Sequence, residues 1–171
     1  MSSLRKILIS GLGTGYLPLA PGSWGAAAVC GIFLAASWGS GGCVLCTDAL
    51  MVALAAAAGA ICVCLGPFAE QAFGRKDPRR CTADEWVGQA LTLVHLPGAA
   101  GWGQRLSIVG VAFFLFRLFD TIKPAPGRRL ERLPHGWGAL LDDVVAGIYA
   151  NLAAQLLLRL WLLKFFVWPG P

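Results

Sequence analysis

The residues from Ala49 to Phe68 form an almost unbroken apolar run, with no charged side chain among them. A helix of about 20 apolar residues is what spans the ~30 Å hydrocarbon core of a bilayer. The alanines and Gly59 inside the run suit close helix packing, because small side chains let backbones approach. Pro67 near its end is expected to bend the helix without stopping it. The rest of the chain agrees. Of 171 residues 57% are hydrophobic and only 13% charged, whereas soluble domains carry about 25% charged residues. The length fits a single domain, and no repeat or linker divides it. Arg5 and Lys6 precede only Ile7, Leu8 and Ile9 before glycines begin, too short for the apolar region of a cleavable leader. Insertion is expected to rest on internal segments.

Further apolar segments run over 24–38, 83–96, 105–121 and 144–167. With 49–68 they predict an all-α, polytopic helical membrane protein of about five spans, with Trp161 and Trp168 as interface anchors for the last. If the N-terminus is cytoplasmic, the pieces 1–23, 69–82 and 122–143 lie inside and hold most of the 14 lysines and arginines, while 39–48 and 97–104 hold none. The positive-inside rule prefers that orientation and predicts a multi-pass protein of the cytoplasmic (inner) membrane. The formal charge of +5 is therefore assigned to topology and anionic lipid contact. No recognition motif supports nucleic-acid binding. Among six cysteines, Cys43 and Cys46 have metal or redox spacing, but no second pair or histidine completes a zinc site. Residues 11–25 hold five glycines and two prolines, which excludes regular helix. They read as a tight turn before the first span, with backbone amides suited to an anion.

This topology gathers Asp84, Glu85, Asp120, Asp142 and Asp143 at one membrane face, the inner one, provided that the short segment 83–96 crosses. Thr82 and Glu85 also have capping-box spacing, the plainer role for that glutamate. Clustered carboxylates repel one another unless a cation sits between them. Oxygen ligands at an aqueous face suit a hard ion such as Mg2+. Arg117, Lys123, Arg128, Arg129 and Arg132 lie nearby in sequence and suit phosphate oxygens. Carboxylates around a metal, flanked by bases, describe hydrolysis of a phosphate ester by metal-activated water. Each residue also has a plainer role. Asp120 can pair with Lys123, Asp142 and Asp143 can cap a helix, and His135 is either a proton donor or a bystander in its loop. A membrane cation transporter with an acidic site is the alternative function.

Four ordered blocks then carry a resemblance: GTGYLPLAPGSWG, DEWVGQ, FRLFDTIKPAP and GWGALLDDVVAGIYA. In order and spacing they resemble the signature blocks of phosphatidylglycerophosphatase A, from about Gly11 to Ala150. The resemblance implies a mainly helical, Mg2+-dependent phosphatase of the inner membrane that converts phosphatidylglycerophosphate to phosphatidylglycerol, its site facing the cytoplasm. It carries the acidic positions onto Asp84, Glu85, Asp120, Asp142 and Asp143, as catalytic and metal-binding residues. It carries the basic positions onto Arg117 and Lys123, and a substrate-binding hydroxyl onto Ser23. Ser23 stands where threonine is expected, Ala83 where an aromatic is common, and Trp137 where a smaller residue is usual.

Overall fold

The computed structural model describes residues 2–75, 78–99 and 101–165, and all of its regular structure there is helical. Helix α1 covers Ser2–Ile9 and α2 covers Pro21–Gly39. After α3, Val44–Phe73, come α4, Ala83–Thr92, and α5, Trp102–Ile122. The short α6, Gly127–Leu130, leads into α7, Trp137–Phe165. Pro21 sits at the first position of α2, where its missing N–H costs nothing. Gly74, at φ 67, ends α3 in the left-handed region that glycine alone adopts freely. Pro67 lies inside α3 without ending it.

Among the described residues three helices are long and apolar enough to cross a membrane: α2, α3, and α7 over Trp137–Leu160. The expectation of about five spans is not confirmed. The predicted span 83–96 is only the ten residues of α4, about 15 Å of helix against the ~30 Å of a bilayer core. Its apolar character has another cause. Ala83, Trp86, Val87 and Ala90 are buried because α4 packs chiefly on α7 and α3, within the bundle. The predicted span 105–121 lies in α5, whose 21 residues include Arg105, Arg117 and Asp120. The last span begins earlier than 144, at Trp137. Trp168 and the side chain of Trp161 lie outside the described residues.

The chain still travels the length of the bundle between α3 and α5. Beyond α4, the His95 N–H donates to Asp48 Oδ1 at 2.7 Å, near the start of α3. Trp102, at the start of α5, stacks on Trp38, near the end of α2, with centroids 4.9 Å apart. The carbonyls at the end of α4 are satisfied by α7: Asn151 Nδ2 donates to Thr92 O at 2.9 Å and to Val94 O at 2.7 Å. Non-helical backbone is tolerated at this depth because the protein itself supplies its hydrogen bonds. The starts of α2 and α4 therefore share one end of the bundle with the end of α5. α4 and α7 cross very closely, since a Cβ on Gly147 would lie 2.5 Å from the Gly88 carbonyl oxygen.

Candidate active site

At that shared end lies a cavity of about 270 Å3. Asp84, Glu85, Asp120, Asp142 and Asp143 all line it, with Arg117 and Lys123. The five acids foreseen from the sequence do converge. Ser23 is not in the lining, although its neighbour Gly22 is. His135 is not there either: its Nδ1 lies 3.2 Å from Glu70 Oε2. Arg128, Arg129 and Arg132 do not line the cavity, and Arg128 instead donates to Ile122 O at 3.0 Å, closing the end of α5.

The acids divide by partner. Lys123 Nζ lies 2.7 Å from Asp142 Oδ2 and 3.0 Å from Glu131 Oε1. Burial works to lower the Lys123 pKa, but its bonds to these two carboxylates prevail and hold it above its ordinary value of 10.5. Arg117 Nη1 lies 2.8 Å from Asp120 Oδ2, three residues along α5. That ion pair is not an aligned hydrogen bond, since Nη1 has no hydrogen-bond partner. The plain Asp120–Lys123 pair is thus replaced by two separate pairs. Both basic side chains are engaged with acids other than Asp84, Glu85 and Asp143.

Those three acids form the core of the site, with ligand atoms all within 4.8 Å of one another. Asp84 and Glu85 stand in the first turn of α4, where the helix dipole favours negative charge. Thr82 does not cap this helix with its side chain. Its hydroxyl is instead 2.9 Å from that of Thr14, and the Asp84 carboxylate accepts from the Glu85 N–H at 3.1 Å. The capping-box role of Glu85 is therefore excluded. Asp142 and Asp143 lie more than a turn beyond Trp137, the first residue of α7, so they are not helix caps.

Burial raises the pKa of Asp84 above 3.8, against the hydrogen bonds that Glu85 supplies. Glu85 rises well above 4.5, through burial first and the charge of Asp84 second. Glu85 Oε2 is buried with no hydrogen-bond partner. A buried, orphaned carboxylate oxygen facing two other carboxylates is costly. A hard divalent cation among the three removes both penalties, so these residues fit one.

Sequence reasoning missed three parts of the cavity. Glu131 shares Lys123 with Asp142, but between Arg129 and Arg132 it looks like one charge of a solvated loop. Arg79 lines the wall and was counted only for topology. Gly22 packs so tightly on the Glu85 carboxylate that a side chain there would strike it. The proline before it, which opens α2, was the available signal.

A family profile for phosphatidylglycerophosphatase A matches residues 7–158. A protein of Bacteroides thetaiotaomicron, provisionally named a phosphatidylinositol-3-phosphatase, is 35% identical over 87% of this chain and 90% of its own. Phosphatidylglycerophosphatase A of Haemophilus influenzae is 33% identical over 92% of this chain and 90% of its own. The enzyme of that name from Escherichia coli is 28% identical over 86% of this chain and 80% of its own. No solved structure matches the chain.

Proposed function

Because this chain belongs to the phosphatidylglycerophosphatase A family and is a phosphatase, we propose that it removes the terminal phosphate of phosphatidylglycerophosphate, with Mg2+, to leave phosphatidylglycerol. The observation that carries this reading is the convergence of Asp84, Glu85 and Asp143 beside Arg117 and Lys123 in one cavity. The end of the bundle that holds the cavity is the one flanked by basic loops, which the positive-inside rule assigns to the cytoplasm.

Asp84, Glu85 and Asp143 would hold the ion, which when bound would supply positive charge to a phosphoryl oxygen and acidify water. Arg117, with an unaligned donor, takes another phosphate oxygen, and Lys123, held by Asp142 and Glu131, keeps its charge beside it. Water attacks phosphorus as the bond to the lipid glycerol oxygen breaks. A carboxylate lining the cavity accepts one proton of the attacking water and returns it to the leaving glycerol oxygen, which departs as the lipid alcohol.

The test is phosphate release by the purified protein in detergent, compared across phosphatidylglycerophosphate, a phosphatidylinositol phosphate, phosphatidic acid and soluble phosphomonoesters. Fastest turnover of the first, and only with Mg2+, is expected. Undiminished turnover in EDTA would remove the metal from the reading. Preference for the inositol lipid would move the substrate toward the name of the Bacteroides relative.

A further inference from the structure

Between α1 and α2 five consecutive apolar residues, Tyr16, Leu17, Pro18, Leu19 and Ala20, stand exposed. They belong to no membrane-spanning helix, so the lipid around the bundle does not account for them. Leu19 is the extreme case, at 102% relative exposure. Its φ of 74 places it in the left-handed region, which costs a non-glycine residue energy. Exposed apolar runs of this length are a fault in a soluble loop unless something covers them.

The loop is nevertheless fixed in place. Trp24 Nε1 donates to Pro18 O at 3.2 Å, and the Arg80 guanidinium lies 5.5 Å from the centre of the Tyr16 ring. Leu19 and Ala20 also line the acid cavity, as does Arg79. Apolar side chains and cations thus meet at the mouth of a phosphate-handling site. α1 likewise leaves Leu4 and Ile7 exposed beside Arg5. An anionic lipid matches this arrangement, its acyl chains against the leucines and its phosphate toward the bases.

We infer that residues 16–20 are a lipid-binding lip: the glyceride portion of the molecule being cleaved rests on Leu17 and Leu19 at the leaflet surface. The enzyme therefore takes phosphate esters from a lipid surface in preference to soluble ones. This inference rests on the phosphatase reading of the cavity.

Leu19→Gly is the sharpest test, because glycine suits φ 74 and folding is not harmed. That variant, and a second with Leu17→Ser added, are assayed with Mg2+ on phosphatidylglycerophosphate in mixed micelles and on its soluble deacylated headgroup. The expected result is an interfacial KM raised at least fivefold, a clearly smaller change in headgroup hydrolysis, and a Tm that is not lowered. An unchanged interfacial KM in both variants overturns the lip, and so do equal losses on both substrates. A wild type that cleaves the lipid but not the headgroup supports it, and the variants are then judged by the split between KM and kcat. Phosphate release from neither substrate by wild type would sink the phosphatase reading underneath.

Discussion

Asp142 and Asp143 are adjacent in sequence but turn to different partners, since successive residues on a helix point about 100° apart. Asp142 meets Lys123 at 2.7 Å, and Asp143 meets Asp84 and Glu85. The two should therefore fail differently. Asp143→Asn removes one of three converging carboxylates and is expected to lower kcat roughly 100-fold or more, with little change in folding. Asp142→Asn leaves the cluster whole and loosens Lys123, for a loss of about tenfold, seen mainly in KM. Phosphate release at saturating Mg2+ separates the two, and full activity in Asp143→Asn would take that residue out of the site. The split itself was not legible in the sequence. Adjacent acids announce a shared environment, but ion-pair choice depends on where Lys123 and Glu131 are placed by the turn after α5.

α4 shows at the next scale what an apolar pattern hides. A ten-residue helix surrounded by protein and a longer one surrounded by lipid are both hydrophobic, so composition alone does not separate them. The basic loops before α4 and after α5 did put the start of α4 and the end of α5 at one end of the bundle, where they share a cavity, because charge asymmetry reports the direction in which a chain travels. That is why the convergence of five acids was legible although the number of spans was not. Close approach was not legible either: Gly88 and Gly147 look ordinary in sequence, yet they let α4 and α7 touch backbone to backbone. A Cβ on Gly147 would meet the Gly88 oxygen at 2.5 Å. Gly147→Ala should cost about 1–3 kcal/mol of stability through overpacking. It should also lower activity, because it moves Asp84 and Glu85 on one helix away from Asp143 on the other. Thermal unfolding in detergent and phosphate release check both effects, and a variant with wild-type values in each would show that the crossing is slack.

For the molecule as a whole, the site sets how stability answers to pH. Burial raises Asp84 above 3.8 and raises Glu85 well above 4.5. For acids with raised values the folded protein binds more protons than the unfolded chain between the ordinary pKa and the raised one. Stability of the metal-free protein must then fall as pH rises through that window. A cation reverses the balance, because its ligands must shed protons to bind it and their charges then find a partner. The expected outcome is a Tm in EDTA that declines as pH is raised from about 4.5, and an increase in Tm on adding Mg2+ that grows over the same range. Thermal scans in detergent at fixed ionic strength measure both. A Tm in EDTA that climbs with pH would mean that these carboxylates are stabilised as anions without any ion, by groups of the protein itself. An Mg2+ effect largest at low pH would place the bound ion elsewhere on the chain. Either result would separate the buried cluster from the chemistry, whereas the expected pair ties the stability of the bundle to the charge that its active end is built to hold.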